Sequence, residues 1–163
     1  MNHKPPALDS FDLKILQKHQ HNTRLPADAI GAEVGLSAAA VQRRLKRLRE
    51  TGVIEAEVAQ LEPAAVGLPL SCIVGVKLER EANAEVERFK ARMLASAMVQ
   101  QCYRVTGEPD FILVVIAPDM ARYEAFTREA LLADPNVRGF TTYVVLDRVK
   151  SGVGLPIDPA VAG

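Results

Sequence analysis

GLSAAAVQRRLKRLRETGVI, residues 35–54, is the stretch from which the rest of the chain can be read. Gly35 makes a tight turn. Ser37 follows, and its hydroxyl can cap a helix by accepting a backbone N–H two or three residues on. Val41, Leu45 and Leu48 recur at offsets of four and three, which puts them on one helical face. Gln42, Arg43, Lys46 and Arg47 fall between them and point away. Gly52 sits where a helix stops, because glycine enters the left-handed region at little steric cost. Val53 and Ile54 restart as a short apolar strand. The spacing therefore predicts a helix with a buried back and a basic outer face suited to phosphates.

Working upstream, Asp9 is a good cap for a helix running to about Gln20, with Leu8, Phe11, Ile15 and Leu16 as its apolar side. His19 and His21 at its end read as imidazoles near a helix C-terminus, since no Cys or carboxylate accompanies them at metal-ligand spacing. A second helix starts near Pro26, which is tolerated in a first turn, and ends at Val34, with Leu25, Ile30 and Val34 apolar. Three helices, the last two joined by a short turn, form the pattern of a helix-turn-helix. Residues 53–61 add a wing-like strand, but Glu55 and Glu57 make it acidic, so no DNA contact is expected there. Residues 1–7 are Pro-rich and expected to fray.

The totals agree with a folded, soluble protein: of 163 residues 48% are hydrophobic and 25% charged, which excludes disorder. Without Trp, the cores must be aliphatic. Net charge is zero, yet residues 1–61 hold nine Lys and Arg against seven Asp and Glu, and five of those nine lie between Arg43 and Arg49. Screening limits each charge's reach to about 10 Å, so this clustering matters more than the total. Cys72 and Cys102 sit in apolar contexts and read as buried free thiols. The N-terminus has no apolar run of signal-peptide type, and no stretch approaches the ~20 apolar residues of a membrane span. A cytoplasmic protein with no membrane contact is expected.

Downstream, Pro63, Gly67 and Pro69 mark a linker at 62–70, which divides the chain into residues 1–61 and 71–163. Strands are predicted at 71–79, 98–106, 111–118 and 140–150, with helices at 82–95 and 120–133 and a loop at 133–139. Ala84, Val86, Phe89, Met93 and Leu94 supply the inner side of the first helix, and Tyr123, Phe126 and Leu131 that of the second. The order β-α-β-β-α-β predicts a ferredoxin-like split β-α-β, an antiparallel sheet with both helices on one face. The fold class is thus α+β: an N-terminal winged helix-turn-helix, then a C-terminal ferredoxin-like domain. Ile73, Val105 and Val114 cannot all face the helices, so leftover apolar side chains on the other face point to self-association.

Two features carry chemistry. At residues 37–47, Ser37 and the helix N-terminus offer N–H groups to a phosphate, Gln42 and Arg43 suit base edges, and Lys46 and Arg47 suit phosphates. With Ala39 on the same side, these six are the expected contacts to double-stranded DNA. Arg44 lies beside the apolar face and is expected to pair with Asp12 instead. A solvated basic face is the plainer explanation, but it leaves the turn, the cap and five cations with no acid before Glu50 as coincidences. The second feature is the GEPD turn (107–110). It is either only a β-turn or a small-ligand pocket, with loop N–H groups for a carboxylate and Asp110 for an ammonium.

At these residues the chain resembles the leucine-responsive regulatory protein/asparagine-regulator (Lrp/AsnC) family of bacterial and archaeal transcription regulators. The matching stretches are LDSFDLKIL (8–16), LSAAAVQRRLKRLRETGVI (36–54), CYRVTGEPD (102–110) and TTYVVLDRVK (141–150), with Leu155-Pro156 after it. The resemblance implies a sensor of amino acids, homodimers paired through their sheets, higher oligomers built from those dimers, and an effector bound at the dimer–dimer contact. It implies effector contacts at Tyr103, Val105, Thr106, Gly107, Asp110 and Thr142, and no cofactor. Two positions depart from the family pattern: Asn136, where the loop often has Gly, and Phe140, where a polar residue is common. Phe140 points to an apolar or aromatic amino acid, or to loss of sensing. An enzyme of the same two-domain plan, similar to siroheme decarboxylases, is the alternative. Such chemistry generally needs a histidine or another general acid in the pocket, and the chain has no histidine beyond His21.

Overall fold

The computed structural model describes residues 7–80, 82–152 and 154–161; the fraying expected of residues 1–6 lies outside them. The chain forms two units, residues 1–59 with 150–163, and residues 60–149.

In the first unit, α1 (Ser10–His19) begins at a reciprocal cap: Asp9 accepts from the Asp12 N–H, and Asp12 accepts from the Asp9 N–H. Helix α2 (Ala27–Val34) stops at Gly35, whose φ of 77° needs glycine. Helix α3 (Ala38–Glu50) starts at Ser37, whose Oγ accepts the Ala40 N–H at 3.3 Å. Ile15, Ile30, Val34, Val41 and Leu45 make one buried cluster, with Leu25 and Ile54 packed against it. The turn between α2 and α3 rests on Gly31. Its carbonyl accepts from the Gly35 and Leu36 N–H groups, and a Cβ on it would lie 2.3 Å from the Leu36 carbonyl oxygen.

The expected wing is not there. Residues 53–61 contain no strand, because among the described residues of this unit there is no strand for them to pair with. The Ile54 N–H bonds the Leu48 carbonyl instead, and the chain runs on without a ladder. The tail also departs from expectation. The sequence places it with 71–163, yet residues 150–163 group with the helical unit. The reason is a two-way clasp: Gln20 Nε2 donates to the Leu155 carbonyl at 3.0 Å, and the Leu155 N–H donates back to Gln20 Oε1 at 2.8 Å. Gln17 adds a bond to the Ile157 carbonyl, and the His21 ring covers Gly154.

The second unit is the split β-α-β. Strands β1 (Leu70–Leu78), β2 (Val99–Arg104), β3 (Phe111–Ala117) and β4 (Val137–Val144) form an antiparallel sheet in the order β2-β3-β1-β4. Helices α4 (Asn83–Ala95) and α5 (Met120–Phe126) lie on one face. Strand alternation sends Cys72, Val74, Val76 and Leu78 of β1, and Phe111, Leu113, Val115 and Ala117 of β3, into a core with Val86, Phe89, Met93, Tyr123, Phe126 and Leu131. Ala84 and Leu94, expected inside, are exposed: the buried spacing 86, 89, 93 leaves both on the solvent side. Helix α5 widens into a π-type turn at Thr127–Leu132, which suits the five-residue step from Phe126 to Leu131. Strand β4 starts at Val137 rather than Phe140. Asn136 anchors that start, exchanging side-chain bonds with the Arg80 N–H and carbonyl, both at 3.0 Å. Of the two free cysteines Cys72 is buried and Cys102 half-buried, and burial pushes both thiols up.

The open sheet face carries Ile73, Tyr103, Ile112, Val114, Ile116 and Tyr143. Their register partners alternate with the core residues, and Tyr143 is 61% exposed.

Candidate functional site

The back of α3 is buried through Val41, Leu45 and Leu48, as the spacing requires, and Ser37, Ala39, Gln42, Arg43, Lys46 and Arg47 are exposed. The structure sorts the cations into two groups. Arg44 Nη1 donates to Asp9 Oδ1 and Oδ2 at 2.9 and 2.8 Å and to Asp12 Oδ1 at 2.8 Å. It is a structural arginine, as expected. Arg47, expected to serve a phosphate, also donates to Asp12, so it is half committed to holding α3 against α1. Arg49 pairs with Glu57 at 2.8 Å. Lys46 makes only a long exposed contact with Glu50, at 3.8 Å. Among the described residues Arg43 has no ion-pair partner. Gln42, Arg43 and Lys46 are therefore the free outward groups.

Asp12, the expected partner of Arg44, is fully buried and takes Arg47 as well. The role of Glu57 is one that periodicity does not reveal. Its carboxylate accepts from Arg49 and from His19 Nε2, the latter at 2.5 Å. The Arg49 and His19 bonds hold its carboxyl well below the usual range, at about 2. Stability from this clasp is complete above the ordinary value near 4.5 and is lost as pH falls through the folded-state value. Glu57→Gln is expected to lower the melting temperature at neutral pH and to flatten its decline between those two pH values. A thermal melt series against pH, parent beside variant, reads this; parallel curves would refute it.

In the second unit the loop 105–110 folds back on itself. The Val105 N–H bonds the Asp110 carbonyl, and the Asp110 N–H bonds the Val76 carbonyl. Gly107 has φ 104°, which favours glycine. Pro109 lies flat on Gly75, where a Cβ would meet its Cγ at 2.8 Å. Asp110 is buried: Oδ2 accepts the Leu78 N–H at 2.7 Å, and Oδ1 lies 3.6 Å from Lys77 Nζ. Two hollows meet at Lys77. One, of ≈ 550 Å³, is lined by Lys77, Arg104, Val105, Thr106, Gly107 and Asp110. The other, of ≈ 420 Å³, is lined by Gly75, Lys77, Glu108, Arg138, Gly139 and Thr141, and Phe140 borders it.

Four of the six expected effector contacts, Val105, Thr106, Gly107 and Asp110, thus come together. The other two do not join them. Tyr103 stands opposite Ile112 on the open face, whereas Thr142 stands opposite the buried Val74, and its Oγ1 lies 2.5 Å from the Tyr123 hydroxyl on the helix-covered side. One sheet separates them. Phe140 is likewise turned away: its register partner is the buried Val76, and it packs against the helix-side core. Its bulk is therefore no guide to the ligand.

Comparison with known proteins identifies both halves of the chain. Residues 8–49 match the AsnC-type helix-turn-helix domain, and residues 71–155 match the Lrp/AsnC ligand binding domain. An HTH-type transcriptional regulator, y4tD, of Sinorhizobium fredii is 48% identical over 151 residues, 93% of this chain and 89% of its own. The leucine-responsive regulatory protein of Haemophilus influenzae is 37% identical over 144 residues, 88% of this chain and 87% of its own. Among solved structures, the transcriptional regulator NMB0573 of Neisseria meningitidis in complex with L-Met superposes with a TM-score of 0.86 at 32% identity, covering 94% of this chain and 99% of that one. These relatives are regulators, and the decarboxylase alternative finds no support among them. By both its halves the chain belongs to the Lrp/AsnC family of transcriptional regulators.

Proposed function

We propose that this regulator reads duplex DNA with the outer face of α3 and answers to an amino acid bound in the Lys77–Asp110 hollows. One observation carries the first part: a capped helix with a buried back presents Gln42, Arg43 and Lys46 without internal partners of comparable strength. Gln42 and Arg43 take base edges, whereas Ser37, Ala39, Lys46 and the exposed side of Arg47 take the backbone. Arg43→Ala is expected to weaken binding by ~1–3 kcal/mol, the worth of a base contact. The probe is a duplex selected by the parent protein from a random pool, followed by fluorescence anisotropy at one salt concentration, since salt changes alone shift such affinities. Equal affinity of parent and variant would end this reading.

Support for the ligand comes from the loop geometry, the ligand-binding-domain match and the L-Met complex of the Neisseria regulator. The ligand is an effector, not a cofactor. The open apolar face of the sheet supports pairing with a second copy through Ile73, Val114 and Tyr143. Sedimentation equilibrium of the full chain is expected to give a dimer or a multiple of it, and a monomer at micromolar concentration would refute the pairing. Two copies of α3 then read half-sites roughly 34–36 Å apart or a multiple of that. A regulator that binds the chromosome works in the cytoplasm, and among the described residues no helix is long and apolar enough to cross a membrane.

A further inference from the structure

Resting on α3 as the duplex reader and on the pairing of two copies, we propose that the C-terminal end of α1 anchors both chain segments that lead to the sheet unit. Gln17 and Gln20 are thereby positioning residues that set which half-site spacing the regulator accepts.

The first support is where the two leads end. One lead is the chain leaving α3. Its Glu57 is bonded by His19 Nε2 at 2.5 Å and by Arg49 Nη2 at 2.8 Å. The other lead is the tail. Gln20 takes both backbone groups of Leu155, and Gln17 Nε2 donates to the Ile157 carbonyl at 3.3 Å. Gln17, His19 and Gln20, at one end of one helix, therefore hold both leads. That helix is in turn tied to α3 through Asp12, Arg44 and Arg47.

The second support is where the leads begin. Residues 60–69 enter β1 at Leu70, and β4 runs out through Val145, whose N–H donates to the Ser71 carbonyl at 2.9 Å. The leads start side by side on the sheet and finish on the same helix end.

The third support is what the clasp does not do. The buried cluster of the helical unit, Ile15, Ile30, Val34, Val41 and Leu45, holds no tail residue, and Leu155 is 68% exposed. A side-chain amide that pairs with both backbone groups of one residue recognises the path of the chain rather than its side chains. The clasp tethers; it does not fill a core.

Magnitudes show why a second tether matters. A coil of the ten residues 60–69 lets its ends range over about 17 Å. Half a turn of duplex is also about 17 Å. On one lead each reader can follow a half-site displaced that far. A second lead closes a loop and removes the slack.

The test uses a duplex selected by the parent from a random pool, read by fluorescence anisotropy at one salt concentration. It is compared with the same duplex carrying about five extra base pairs, half a helical turn, between its half-sites, and with a duplex carrying a single half-site. The insertion is expected to weaken parent binding at least about tenfold, because the second half-site is no longer engaged. The full-chain double variant Gln17→Ala/Gln20→Ala is expected to lose no more than about threefold on insertion, with single-half-site affinity within about twofold of the parent's. Alanine is the best helix former, so α1 persists in that variant. Leu155→Pro attacks the clasp from the tail, by removing the N–H that Gln20 accepts, and is expected to behave alike. A parent that tolerates the insertion, or variants as strict as the parent, would overturn the anchor. Single-half-site affinity that falls beyond the stated range in the variants would reduce the clasp to a prop for the reader's fold, and would overturn it too. A parent that selects no duplex at all would sink the DNA reading itself, and this inference with it.

Discussion

Asp12→Ala is expected to destabilise the helical unit by about 3 kcal/mol, the low end of the cost of removing one partner from a buried ion pair. The carboxylate accepts from the Asp9 N–H, from Arg44 and from Arg47, and its side chain is 1% exposed. Removing it opens the capping box of α1, which by itself costs about 1 kcal/mol. It also unties α3 from α1. The penalty stays at the low end because neither arginine is stranded: Arg44 keeps Asp9, and Arg47 is 48% exposed and turns to water. Hydrogen exchange of the α1 and α3 amides in the full chain reads the loss locally. DNA affinity is expected to fall as well, since Arg44 and Arg47 set how α3 lies on its support. Asp12→Asn keeps the shape and one acceptor and is expected to fall between parent and alanine. Unchanged exchange in Asp12→Ala would show that the two arginines are ordinary surface cations.

Gly31→Ala is expected to cost about 3 kcal/mol, the upper end for overpacking. The sign is the informative part. In an open helix the same change gains up to about 1 kcal/mol, because alanine is the better helix former. Here the new methyl would sit 2.3 Å from the Leu36 carbonyl oxygen. That oxygen belongs to the backbone of the turn and has no rotamer by which to move aside. Relief requires α2 and α3 to part, which disturbs the Gly35 and Leu36 bonds to the Gly31 carbonyl and tilts the reading helix. Loss of duplex binding together with faster exchange confined to α2 and α3 is the expected outcome. Gly139→Ala is the matched control, since its methyl meets nothing. A stabilised Gly31→Ala would mean that the turn is looser than its bonds indicate.

Much of the fold was legible because it is local. Val41, Leu45 and Leu48 are buried, and Ser37 and Asp9 cap their helices, as spacing and residue type required. Strands β2 and β3 fall within the alternating or apolar runs that announce them, and β1 begins one residue ahead of its run, at Leu70. The misses have physical reasons. Residues 53–61 look like a strand in isolation, but a strand exists only through a partner. Pro135 and Asn136 are turn residues and so predict a loop through Gly139, yet Asn136 spends its turn chemistry on Arg80 and β4 starts at the next residue, Val137. Charge on an outer face looks free for phosphate, as at Arg47, while the acid that claims it lies 35 residues away.

The sequence alone determined what depends on neighbours along the chain: three helices with a capped basic reader, a β-α-β-β-α-β order, and the family through its ordered motifs. Side-chain periodicity and capping act over one to four residues, so they survive without a fold. The tertiary structure decided everything set by register and long-range pairing. It chose which cations of α3 stay free, put Tyr103 and Thr142 on opposite faces, turned Phe140 into the core, and brought Arg138 beside Lys77 through a bulge. A shift of one residue in strand pairing reverses every side chain's face, and no local pattern in the sequence encodes that shift.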